Sequence, residues 1–164
     1  MLPFSGEILV DEAYEINRDP VAYRMWVNYA EAEPLYPSFL TARDLVTFVS
    51  KAKQSPVGQV DVLAKTLGVE AFWTKPTGQF SSGMLKKLSL LLALLGTPRL
   101  ILLDEPLTTL DVATAENLFG YIRQLCEEQG VSFLLTSHQD VSLTGLPITS
   151  VWEVSAGVIT KSDL

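Results

Sequence analysis

The sequence predicts an α/β fold built on a parallel sheet, and three consecutive segments of its second half carry that prediction. Residues 100–103 are a continuous apolar run between Arg99 and Asp104, the pattern of a strand buried inside a parallel sheet. Residues 111–129 follow as a helix, with Asp111 as its cap, Gly130 as its stop, and Ala115, Phe119, Ile122 and Cys126 along one apolar face. Residues 131–136 are then a second buried strand. Strand, helix and strand in this order form the βαβ unit of α/β proteins.

The other elements follow from local chemistry. Residues 6–10 and 23–29, rich in branched and aromatic side chains, read as short strands flanking a polar, turn-like stretch. Pro34 and Pro37 make residues 31–37 a loop. From Thr41, an N-cap candidate, Leu45, Phe48 and Val49 recur at helical spacing. Residues 60–67 repeat that period and stop at Gly68. A loop containing Pro76 and Gly78 precedes a leucine-rich helix from about Gly83 through Ala93 to Gly96. Residues 148–154 and 158–160 read as a closing hairpin across Ser155, Ala156 and Gly157. The helix-only stretch between the strands, residues 38–96, reads as a helical subdomain inserted in a single domain that spans residues 1–164.

Composition narrows the function. An apolar fraction of 48% and a charged fraction of 19% over 164 residues are those of a chain that buries a core. A net charge of -7 without any cluster of Lys and Arg argues against a nucleic-acid partner. The longest apolar run, residues 88–95, falls short of the roughly 20 residues a membrane-spanning helix needs. Pro3, Ser5, Gly6 and Glu7 break up the N-terminus, which does not read as a signal peptide. A single cysteine, Cys126, excludes an internal disulfide framework and reads as part of the core.

Four short motifs carry chemistry. The strand at residues 100–103 runs into Asp104, Glu105 and Pro106, placing two carboxylates at its C-terminal end, the edge where open α/β sheets bind ligands. Adjacent acids there can divide labour, one facing Mg²⁺ and the other polarising a water that attacks a phosphate. Residues 107–111 follow directly and end in Asp111. Ser81, Ser82 and Gly83 open the leucine-rich helix, where exposed backbone N–H groups favour an anion. His138, the only histidine, lies just beyond the strand at residues 131–136. Taken singly each signal is weak: a strand can end in a charged turn, Asp111 and Ser81 can be simple caps, and a lone histidine is more often a surface residue.

Their order and spacing resemble the ABC ATPase family, the nucleotide-binding subunits of ABC transporters. By that resemblance Ser81, Ser82, Gly83 and Met84 belong to the signature motif, residues 100–105 to Walker B, residues 107–111 to the D-loop, and His138 is the switch histidine. Residues 29–37 look like the Q-loop, and Ser5 to Ile8 like the strand after the family's first helix. The resemblance implies a P-loop NTPase-like, RecA-like core with ATP and Mg²⁺ as cofactors. It makes Asp104 the metal acid, Glu105 the general base and His138 a γ-phosphate contact. Asp111 would couple two sites, and Ser81, Ser82 and Gly83 would close over ATP on a second ATP-binding subunit. It further implies a transmembrane transporter subunit as partner and a cytoplasmic, peripheral location at the inner face of the membrane.

Two departures qualify the resemblance. Ala32, flanked by Glu31 and Glu33, stands where the family has its Q-loop glutamine, so that contact is lost or passes to a neighbouring Glu. No Gly-x-x-x-x-Gly-Lys-Ser/Thr occurs, so Walker A is absent, along with a strand–loop–helix unit on the order of 30 residues. The expectation is a truncated domain that binds ATP poorly by itself, with residues 131–136 as an exposed edge prone to self-association or strand exchange. The alternative is a non-catalytic fragment that pairs with an intact ATPase subunit or membrane partner.

Overall fold

A computed structural model describes residues 9–10, 14–138 and 145–162. The elements run β1 (Leu9–Val10), β2 (Tyr14–Glu15), α1 (Pro20–Trp26), β3 (Val27–Ala30), α2 (Ala42–Ala52), α3 (Gln59–Thr66), α4 (Ser82–Ala93), β4 (Leu100–Asp104), α5 (Val112–Gln129), β5 (Ser132–Thr136), β6 (Val151–Ser155) and β7 (Val158–Ser162). Most of the strand expected at residues 6–10 lies outside the described residues.

The predicted α/β architecture is present. β3, β4 and β5 form a parallel sheet in that order, in register Tyr29–Leu102–Leu134 and, two residues further along β4 and β5, Asp104–Thr136. Alternation along the strands sends Ala30, Ile101 and Leu103 into one core with Leu88, Leu90 and Leu91 of α4 and Leu118, Ile122 and Leu125 of α5. The other face is open: Tyr29 is 53% and Leu134 59% exposed. β5, read as buried, therefore packs only Phe133 and Leu135 against the core, and among the described residues it is an edge strand.

Two local expectations are corrected. Residues 23–29 are not one strand, because α1 extends to Trp26 and β3 starts at Val27. Asp19 caps α1 by accepting the Ala22 N–H at 3.0 Å, and Pro20 at the first turn presets the helical φ, so start signals override the β preference of Tyr23 and Trp26. On α2, Phe48 is 73% exposed and the inward positions are Ala42 and Val46, with Leu45 and Val49 beside them. The cap itself is as expected, a capping box in which Thr41 and Asp44 satisfy one another's backbone N–H groups.

The helical stretch is tied to the sheet through Asn28 of β3. Its side-chain amide, 4% exposed, donates to Ala93 O at 2.6 Å and Leu95 O at 2.9 Å and so satisfies carbonyls at the end of α4. The closing hairpin forms, but its first strand begins at Val151 and takes in Ser155, leaving Ala156 and Gly157, both at positive φ, as a tight two-residue turn. Trp152, Val154 and Ile159 on it are all more than half exposed.

Candidate functional site

The C-terminal ends of β3, β4 and β5 bring Tyr29, Asp104, Glu105, Thr136 and His138 together. Asp104 is the last residue of β4, and each of its carboxylate oxygens accepts one hydroxyl: Thr136 Oγ1 donates to Oδ1 at 2.6 Å and Tyr29 OH to Oδ2 at 3.2 Å. Tyr29 stands on the same open face, diagonal to Asp104 across the strand pair. Burial, reinforced by the Asp104 charge and hydrogen bond, raises the Tyr29 phenol above its ordinary value of 10.0 and keeps it a donor. Glu105 follows in a left-handed conformation, φ 46°, uncommon for a residue with a side chain. Its N–H donates to Thr136 Oγ1 at 3.2 Å, and its Oε1 lies 3.6 Å from His138 Nε2. That contact becomes an ion pair when the imidazole is protonated; the His138 side chain is 97% exposed and faces solvent.

A second cluster joins the start of α4 to the loop before α5. Ser81 caps α4 by accepting the Met84 N–H at 3.3 Å, and Ser82 and Gly83 form the first turn. A Cβ on Gly83 would lie 2.9 Å from Thr109 O, so only glycine admits the close approach of this loop. Asp111 caps α5 through Thr114 N–H and Oγ1, at 2.9 Å each, and pairs with Lys87 Nζ at 2.6 Å. The Lys87 hydrogen bond first, and Thr114 second, hold its carboxyl well below the usual aspartate value.

Sequence reasoning passed over the residue that links the two clusters. Lys86, 2% exposed, donates to Glu31 O at 3.0 Å, Ala32 O at 2.6 Å and Asp104 O at 3.3 Å, fixing the loop after β3 against the end of β4. Desolvation lowers its pKa from 10.5, with Asp104, Glu105 and Glu33 opposing that shift. The sequence carries a signal for it: Lys86 shares the inward stripe of α4 with Ser89, Leu90 and Ala93 at helical spacing. Adjacent lysines thus serve both clusters, Lys86 inward and Lys87 outward. Tyr29, Thr136 and Lys87 were also not singled out, since each acts only through a partner distant in sequence.

Among the described residues no group of three or more His, Cys, Asp or Glu could hold a metal. The donor set fits Mg²⁺ of the kind used in phosphate chemistry, which is bound through one or two carboxylates while substrate and water oxygens complete its shell. No helix of the described residues is long and apolar enough to cross a membrane.

Comparison with known proteins decides the lineage. A family model described as ABC transporter matches residues 1–108, more than half of the chain. The chain belongs to the ABC transporter ATP-binding family. A model described as an AAA domain of a type IV toxin–antitoxin system also matches, over residues 73–144, which is less than half of this ABC chain. The molybdenum import ATP-binding protein ModC of Salmonella typhimurium is 31% identical over 137 residues, covering 84% of this chain and 38% of ModC. The spermidine/putrescine import ATP-binding protein PotA of Spiroplasma citri is 32% identical over 151 residues, covering 87% of this chain and 41% of PotA. The chain thus spans about two-fifths of these relatives' length. Among solved structures, an ATP-binding subunit of an ABC transporter superposes with a TM-score of 0.74 at 23% identity, over 84% of this chain and 58% of that one. A dimeric ATP-binding cassette in a post-hydrolysis state, bound to ADP and Pi, superposes with a TM-score of 0.68 at 23% identity, over 84% and 64%. These likenesses establish the ABC chain as a P-loop NTPase fold.

Proposed function

We propose that this chain is the Walker B, D-loop and signature portion of an ABC ATPase that couples ATP hydrolysis to membrane transport in its intact form. The carrying observation is the meeting of Asp104, Glu105 and His138 at one sheet edge, with Glu105 Oε1 3.6 Å from the imidazole. In this reading Asp104 holds Mg²⁺, Glu105 takes the proton of the attacking water and His138 contacts the γ-phosphate. Mg²⁺, when bound, would neutralise phosphate charge. Asp111 couples paired sites, and Ser81, Ser82 and Gly83 close over ATP held by a second ATP-binding subunit, which needs no Walker A here. Residues 1–164 act as one partial domain, with 38–96 as its helical subdomain, at the cytoplasmic face of the membrane beside a transmembrane subunit.

Phosphate affinity in P-loop enzymes comes largely from a nest of N–H groups and a lysine that these 164 residues lack. The chain alone therefore binds ATP weakly. Titration with ATP and Mg²⁺, and turnover measured beside Glu105→Gln, test this. Affinity weaker than micromolar and no turnover by either protein are expected; micromolar binding, or turnover that Glu105→Gln abolishes, overturns it.

The second reading, a non-catalytic fragment that pairs with an intact ATPase subunit or membrane partner, draws on exposed apolar side chains. Leu35, Phe39 and Phe48, at 87%, 77% and 73% exposure, lie on the loop after β3 and on the helical stretch, where a partner would cover them. Co-purification with an intact ABC ATP-binding subunit, lost in Phe39→Ser and Phe48→Ser, is its expected signature.

A further inference from the structure

Asp104 lies at an open, exposed sheet edge where a carboxylate is ordinarily free to rotate. Here neither of its oxygens is free of contact, because Thr136 Oγ1 donates to one at 2.6 Å and Tyr29 OH to the other at 3.2 Å, from strands on opposite sides of β4. The Thr136 hydroxyl has one proton and spends it on Asp104, leaving its lone pairs to accept the Glu105 N–H at 3.2 Å. Glu105 needs such an anchor, because a left-handed conformation is unfavourable for a residue with a Cβ and persists only where its surroundings over-determine it. One threonine therefore touches both acids, setting the side chain of Asp104 and the backbone of Glu105.

We propose that Thr136 and Tyr29 are positioning residues that clamp Asp104 from its two neighbouring strands, Thr136 also locking the backbone of Glu105. This deepens the proposed function and rests on the reading of Asp104 as the metal acid. The clamp leaves each carboxylate oxygen a further lone pair for a hard cation while removing rotamers that the cation would otherwise have to select. It also gives β3 a direct hold on the metal acid where Ala32 provides no side-chain donor. And it links β5, the strand leading to His138, to the acids of β4 by a contact that any shift of β5 would break.

The test uses the whole chain with Thr136→Val, which keeps the shape and loses the hydroxyl, Thr136→Ser, which restores it, Tyr29→Phe and Asp104→Asn. The first readout, hydrogen exchange at the Glu105 amide, requires no metal. Exchange should quicken about five- to tenfold in Thr136→Val, the loss of one hydrogen bond, and return towards the native rate in Thr136→Ser, with the cooperative unfolding transition of each variant intact. The second is binding of Mn²⁺ as a paramagnetic substitute for Mg²⁺, followed by line broadening around Asp104. It should weaken severalfold in Thr136→Val and Tyr29→Phe, recover in Thr136→Ser and vanish in Asp104→Asn. Unchanged Glu105 exchange in Thr136→Val overturns the proposal, as does Mn²⁺ binding that Asp104→Asn abolishes while Thr136→Val and Tyr29→Phe leave it native. Mn²⁺ binding that survives Asp104→Asn instead overturns the underlying assignment of the metal acid.

Discussion

Replacing Lys86 by Met removes the ammonium and keeps most of the stem, so the loss falls on three carbonyls and not on packing. Glu31 O and Ala32 O, at 3.0 and 2.6 Å, lose well-formed bonds from a charged donor, and Asp104 O at 3.3 Å loses a weak one. A hydrogen bond to a charged group contributes about 1.5–3 kcal/mol, so the two short bonds amount to roughly 3–6 kcal/mol. Against this stands the relief of the buried ammonium's desolvation, the same effect that lowers its pKa, which offsets part of the loss. The expected net loss is about 2–4 kcal/mol, a shift of roughly 1–2 M in the midpoint of urea unfolding at unchanged slope. The difference between wild type and Lys86→Met should also depend on pH. A lysine whose folded pKa lies below the unfolded 10.5 adds most stability above 10.5, and less as pH falls through the folded value. A loss below about 0.5 kcal/mol, within the scatter of ordinary surface substitutions, would refute the reasoning that Lys86 holds the loop after β3 to β4.

Gly83→Ala places a Cβ 2.9 Å from Thr109 O, so the loop at 107–111 must shift; altered amide shifts for Thr108–Asp111 and a loss of about 1–3 kcal/mol in urea unfolding are expected. The Asp111 carboxyl is held below its ordinary 3.8, so its pairing with Lys87 contributes stability that is present above pH 3.8 and lost as pH falls below it. The unfolding difference between wild type and Asp111→Asn should accordingly close on acidification below that value, and shrink in 1 M salt because the pair is exposed. Leu118→Ala empties a fully buried position and should cost about 2–5 kcal/mol by thermal or urea unfolding. Leu134→Lys charges the bare edge and open face of the sheet; light scattering should find wild type associating with concentration and this variant monomeric.

Much of the fold was legible because its signals are local. Residues 100–103 read as a strand and form one, although only Ile101 and Leu103 are buried; Thr41, Ser81 and Asp111 are caps by chemistry as well as position, and Ala156 and Gly157 suit a tight hairpin turn. Where two local signals competed, the reading failed: the aromatic residues of 23–26 suggested a strand, and the Asp19–Pro20 helix start prevailed. Phe48 matched the helical period but not the burial, because the direction of the inward stripe is set by what α2 packs against.

For the candidate site, residue types and order along the chain identified Asp104, Glu105, Asp111, His138 and the Ser81–Gly83 helix start, since carboxylates at a strand's end and small residues at a helix's start are properties of short segments. The sequence by itself determined these chemical groups and the family they belong to. Only the tertiary structure decided which residues hold them: Lys86 beneath the loop after β3, Lys87 on Asp111, and the Thr136 and Tyr29 hydroxyls on Asp104. Those partners are separated by 54, 24, 32 and 75 residues respectively, and their meeting depends on a sheet register and a helix rotation that long-range packing alone sets.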